Sequence, residues 1–133
     1  MQNFKRSMLL SLGLGALWLS ASAPAFADSP GLSGSWKGGG TFTYSSGAKE
    51  SARCRATFKP SGKSAYDVSA TCATQSGTVS QTGFVRGSGS SYRGTFYNPE
   101  FDTSGKIAIS VSGGSQVVRL SSSKGSGVIR LSR

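Results

Sequence analysis

"GSWKGGGTFTY", residues Gly34 to Tyr44, sets a tryptophan beside three consecutive glycines and then an alternating aromatic run. A glycine-rich phosphate cradle would follow a strand and open a helix. Here the alternation simply continues. Trp36, Gly38, Gly40, Phe42 and Tyr44 fall on one face at the period of a β-strand. Glycine inside such a pattern permits a bulge or tight bend and leaves room for a side chain crossing overhead. The stretch therefore reads as the opening strand of a tightly curved sheet, with Trp36 and Phe42 bracketing the bend on the core side.

The same period recurs downstream. In 50–58, Glu50, Ala52, Cys54, Ala56 and Phe58 alternate with Ser51, Arg53, Arg55 and Thr57, and Lys59 continues the second set. The first set is core-like and the second solvent-like, so Arg53, Arg55 and Lys59 form a basic ridge. Lys37 and Lys63 are the candidates for extending it from neighbouring strands. Further strands are predicted at about 64–73 (Tyr66, Val68, Ala70, Cys72 inward), 77–85, 91–98 (Tyr92, Gly94, Phe96 inward; Arg93, Thr95, Tyr97 outward), 107–111, 115–121 and 127–132. "SSGA", "PSGK", "QSG", "GSGS", "NPEFDTSG", "SGGS" and "SKGSG" separate them, rich in residues that accept turn dihedrals. No helix is predicted after residue 27. Short strands joined by short turns make an antiparallel meander, and such a sheet closes or folds over because an open one leaves two edges and an uncovered face. The expected fold is all-β, a small antiparallel up-and-down barrel of about eight strands, with a β-sandwich as the alternative.

The start of the chain has a different character. Lys5 and Arg6 precede the apolar run "MLLSLGLGALWL", and "APAFA" places small residues at Ala25 and Ala27. These are the three regions of a secretory signal peptide, and the run is shorter than the roughly 20 residues a membrane span needs. Residues 1–27 are expected to be removed, leaving 28–133 as one domain without a membrane span. No cysteine lies near the cut to carry a lipid. Both cysteines, Cys54 and Cys72, fall in the exported part, where an oxidising compartment favours their pairing. Periplasmic or secreted localisation follows.

The 133 residues carry 15 Lys and Arg against 5 Asp and Glu, a formal charge of +10, which loss of Lys5 and Arg6 lowers to +8. Such a field attracts polyanions: lipid headgroups, acidic polysaccharide, nucleic acid or an acidic protein. The same excess also serves solubility alone.

Gly34, Ser35 and Trp36 form a G-x-W at the head of the first strand. This resembles the opening motif of the calycins: lipocalins, avidin-like barrels and lipocalin-like bacterial protease inhibitors. The resemblance implies that the tryptophan closes one end of the barrel against an arginine of the last strand. Arg130 is the matching candidate and Arg119 the substitute. It further implies either a small-ligand binder or an inhibitor of a secreted protease, whose segment Asp28 to Gly31 would enter the protease cleft. The chain departs from lipocalins in its length and in lacking a helix before the final strand, which argues against a deep cavity. "SWKGGG" with "RCRA" at 53–56 also resembles small exported bacterial proteins.

Catalytic chemistry finds little to work with. The sequence has no histidine, the usual group that titrates near neutral pH. Its carboxylates are Asp28, Glu50, Asp67, Glu100 and Asp102. Asn98, Glu100 and Asp102 share one loop, but a calcium site wants 6–8 oxygens and no ligand loop repeats, so a solvated turn is the reading. No serine sits in a nucleophile elbow. Arg86, Tyr92, Arg93, Phe96 and Tyr97 interleave cations with rings as single-strand nucleic-acid platforms do, yet Tyr92 and Phe96 belong to the predicted core, which argues against that use. The expectation is a monomeric, non-enzymatic binding module of the bacterial envelope with no cofactor or metal. Its target would be an anionic envelope component contacting Arg53, Arg55 and Lys59, a small ligand, or a protein partner.

Overall fold

The computed structural model describes residues 31–133, so the proposed signal peptide lies outside the described residues. Eight strands follow in chain order: β1 (Gly34–Tyr44), β2 (Lys49–Gly62), β3 (Ala65–Thr74), β4 (Gly77–Ser88), β5 (Ser91–Asn98), β6 (Thr103–Ser112), β7 (Ser115–Ser122) and β8 (Gly125–Ser132). Each pairs antiparallel with its successor, and β8 returns to β1, giving a closed up-and-down barrel. A closed barrel has no edge strand to protect, and none of the described residues forms a helix.

Alternation decides which side chains go inside. On β2, Ala52, Cys54, Ala56 and Phe58 are buried while Arg53, Arg55 and Lys59 are exposed. Trp36, Val85, Ile109 and Leu131 join them from other strands. Several boundaries differ from the sequence reading, two of them by four residues. β2 runs on to Gly62 through a register irregularity between Pro60 and Gly62. β6 begins at Thr103, inside the segment read as a turn, because Thr103 pairs with Asn98 and Gly105 with Phe96 although neither carries an apolar signal.

Closure rests on the glycines of β1. A Cβ at Gly38 would collide with the carbonyl oxygen of Arg130, and one at Gly40 with that of Val128. The backbone of β8 thus lies where side chains would otherwise stand, which is the tight bend the GGG run suggested.

Cys54 and Cys72 face each other in the β2–β3 register and form a disulfide inside the barrel, where both are buried. In the chain-entropy model, a link across this separation stabilises by about 3 kcal/mol. Cys54→Ser with Cys72→Ser is therefore expected to lower the melting temperature by several degrees in calorimetry, and mass analysis of the unreduced native chain should find no alkylatable thiol. The bond fits a non-reducing compartment.

Candidate functional site

The two ends of the barrel are built differently. At the end where β1 begins, Leu32 and Trp36 are buried beneath the Gly31–Ser33 segment, and Trp36 Nε1 donates to the Leu32 carbonyl at 2.8 Å. The guanidinium of Arg133 lies 4.3 Å above the indole ring. Its Nη1 donates to the Ser33 carbonyl at 2.6 Å and its Nη2 to the Gly31 carbonyl at 3.1 Å. The arginine on the tryptophan is thus Arg133, where Arg130 or Arg119 was expected. Parity explains the difference: Ile129 and Leu131 point inward, so Arg130 points out and Arg133 falls on the inner side, while Arg119 lies between the inward Val118 and Leu120. Gly34 of the G-x-W motif begins β1 and pairs with Phe58.

Tyr66 and Tyr92 complete this floor, edge to face with centroids 5.7 Å apart, their hydroxyls against Gly31. Burial, and then the neighbouring Tyr66, push the Tyr92 phenol above its ordinary range. Gln116 is 2% exposed in the same half of the barrel, paired with Val111 and Leu131, and its amide has no hydrogen-bond partner among the described residues. A buried amide left in this way costs about 1–3 kcal/mol. Gln116→Leu, similar in volume, is therefore expected to raise the melting temperature by a few degrees, and a clear fall would show that the amide has a partner.

The opposite end is open. A cavity of about 200 Å³ lies inside the mouth, walled by Phe42, Val79, Phe96, Phe101 and Leu120, with Gln81 and Lys124 among its polar groups. Below it, a smaller space of about 50 Å³ shares Gln81, Phe96 and Leu120 as lining. Ring placement makes this room. Phe96 lies over Gly105 and Phe42 over Gly127, so close that a Cβ at either glycine would come within 2.5 Å and 2.7 Å of the ring. Each ring occupies the space its partner leaves bare, and the centre of the mouth stays clear.

Hydrogen bonds brace the rim. Tyr44 donates its hydroxyl to Glu50 Oε2 at 2.6 Å, and Ser76 donates to the other carboxylate oxygen, joining the β1–β2 hairpin to the β3–β4 turn. The Ser76 bond first, then that from Tyr44, holds the Glu50 carboxyl below its usual range. A lowered folded-state pKa makes this contribution present at neutral pH and lost as acid carries the pH down through that value. In the β5–β6 loop, the Asn98 side-chain oxygen accepts the Glu100 and Phe101 amides at 3.0 and 3.2 Å. Asp102 accepts the Tyr97 hydroxyl at 3.2 Å. Lys124 Nζ donates to the Phe101 carbonyl at 2.7 Å, pinning the loop that carries Phe101 at the mouth. Asn98 is thus engaged in shaping its own turn, and among the described residues no three His, Cys, Asp or Glu side chains gather as a metal site.

The predicted ridge is divided by register. Lys59 sits opposite Asp67, whereas Arg55 sits opposite Lys37 and Arg53 opposite Gly39. Lys63 lies in the β2–β3 turn. On β5, Arg93 and Tyr97 are exposed, Tyr92 is buried and Phe96 packs against the core. Phe84 also faces outward beneath Arg86, whose guanidinium is 5.5 Å from the ring centroid. Alternation with the inward Val85 could have marked Phe84.

The sequence matches no protein-family model and no curated protein. Several solved structures share its fold. The redesigned β-barrel mFAP1, bound to DFHBI, superposes with a TM-score of 0.64 at 16% identity, over 77% of this chain and 94% of that one. The redesigned barrel mFAP0, also bound to DFHBI, gives 0.63 at 19% identity, over 77% and 98%. A de novo designed fluorescence-activating β-barrel gives 0.59 at 19% identity, over 76% and 92%.

Proposed function

We propose that the protein is a non-catalytic barrel that binds a small, largely apolar ligand through its open mouth. The observation that carries this reading is the asymmetry of the barrel: one end is plugged by Leu32, Trp36 and Arg133, while the other holds a cavity of about 200 Å³ among Phe42, Val79, Phe96 and Leu120. Apolar walls with a few polar groups at the rim are the usual composition of small-molecule sites. The space is smaller than the roughly 300 Å³ at which such sites commonly begin, so the ligand is fragment-sized or projects past Phe101. Two of the similar barrels are bound to DFHBI, which supports use of this fold for a small molecule. A calycin-like relationship is supported by the closure of Trp36 under a cation next to β8. The disulfide supports a periplasmic or secreted setting.

A protease-inhibitor role gains nothing from the floor. Gly31 is buried and held by Arg133, and Asp28 to Pro30 lie outside the described residues.

Naphthol and indole serve as probes in titration calorimetry. Leu120→Trp should fill the cavity and weaken binding at least tenfold, the effect of about 1.4 kcal/mol, while leaving the melting temperature near the native value. No binding of either probe by the native chain, or equal binding by the variant, would overturn the mouth as the site.

A further inference from the structure

Away from the mouth, the outer wall of β8, β1 and β2 gathers positive charge around a residue with no side chain. Gly39 pairs with Arg53 on one side and Arg130 on the other, and Lys37, the next outward residue of β1, pairs with Arg55. All four cations are exposed. Neighbouring strands lie about 4.8 Å apart and same-face residues about 6.8 Å apart, so four cationic stems rise within roughly 10 Å of a bare floor. Lys37 and Arg55 are like charges placed directly opposite, an arrangement that disfavours the fold unless an anion lies between them. The described acids lie elsewhere: Glu50 at the rim, Asp67 opposite Lys59, and Glu100 and Asp102 in the β5–β6 loop.

The shape of this wall narrows the partner. An open trough of about 1130 Å³ runs from Gly39 past Lys37, Arg53 and Arg55 to the hydroxyl and amide groups of Thr71, Thr74 and Gln75, and Arg130 stands outside its lining, across Gly39 from Arg53. No aromatic residue lines it, so it lacks the stacking platform that single-stranded nucleic acid uses. A concave wall also fits a thread better than a flat lipid surface. We propose that this cradle binds a linear anionic polysaccharide, a carboxylate or sulfate of which sits above Gly39 between Arg53 and Arg130, while chain hydroxyls meet the threonine side. Arginine's planar fork matches both oxyanions and holds its charge at every physiological pH. The site is separate from the mouth, so either can fail without the other.

Heparin and polygalacturonate are the probes, titrated into the purified protein at physiological salt. Arg53→Glu with Arg130→Glu should weaken binding at least about tenfold and flatten its salt dependence, since the attraction is screened within about 8 Å. Lys63→Glu with Lys106→Glu, the same charge change at two cations that stand apart from each other and from this wall, should cost much less. The milder pair Arg53→Gln with Arg130→Gln repeats the test without introducing negative charge, and melting temperatures establish that each variant is folded. Equal losses in the two Glu variants would reduce the effect to net charge and overturn the cradle. Tighter binding to phosphatidylglycerol vesicles or to an oligothymidylate than to either polysaccharide would overturn the assigned partner.

Discussion

Gly38→Val should abolish the closed barrel. The added side chain would start inside the carbonyl of Arg130, and the obstructing group is backbone, which cannot rotate aside. Relief requires β8 to draw away from β1, yet their pairing from Lys37–Ser132 to Tyr44–Gly125 is what closes the sheet. Overpacking costs about 1–3 kcal/mol when side chains can adjust. Here the strand itself must move, so the loss should reach at least about 3 kcal/mol, a large share of the ~5–15 kcal/mol typical of a domain. Expected readouts are loss of near-ultraviolet dichroism, precipitation through the freed strand edges, and a melting transition that is lowered or missing. Gly40→Val should behave alike, since it meets the Val128 carbonyl. Gly47→Val, in a turn with nothing near its Cβ, serves as a contrast, its cost limited to an unfavourable positive φ. A Gly38→Val chain that melts near the native temperature would mean that β1 and β8 close without this contact.

Trp36→Ala is the second large effect. The indole is 2% exposed, and emptying such a site costs about 3–5 kcal/mol. The damage extends past the cavity, because the ring is the surface on which Arg133 rests and its Nε1 fixes Leu32. Arg133→Ala tests the outer half alone. It removes a cation–π contact of about 0.5–2 kcal/mol and two hydrogen bonds to carbonyls, so a drop of several degrees is expected. Arg130→Ala should leave the melting temperature almost unchanged. Similar effects of Arg130→Ala and Arg133→Ala in chemical denaturation would contradict this assignment of the closing arginine.

How much of this was legible in the sequence depends on distance along the chain. Period-two alternation needs only neighbouring residues, and it marked Cys54, Phe58, Tyr66 and Tyr92 as inward and Arg53, Arg55 and Arg93 as outward. It failed where the inward residues are small or polar: Thr103 and Gly105 belong to β6 but look like a turn. It also failed at the arginine over Trp36, since a family resemblance names a residue type and only strand parity chooses between Arg130 and Arg133. Leu32 was invisible because it plugs the barrel from outside any strand. The mouth cavity depends on Phe96 crossing Gly105 and Phe42 crossing Gly127, pairs that require the register of adjacent strands. The cation group was half seen. Lys37 was suspected, but setting Arg130 beside Arg53 takes the closure of β8 onto β1, and the same register removes Lys59 by placing it against Asp67.

Seven of the eight strand pairings join neighbours in the chain, and the eighth joins β1 to β8. Gly31 and Arg133 are moreover bonded to each other across the floor. Which pairing is the remote one is therefore an accident of where the backbone is interrupted. A circular permutant that links Arg133 to Gly31 through a few glycines and opens the chain at Gly89 would turn the β8–β1 seam into an ordinary hairpin and make β4–β5 the last to zip. Loop-closure entropy is moved around the ring, with its total nearly conserved. Such a permutant should refold at a rate close to the parent's, with the glycine-lined seam formed early in place of late.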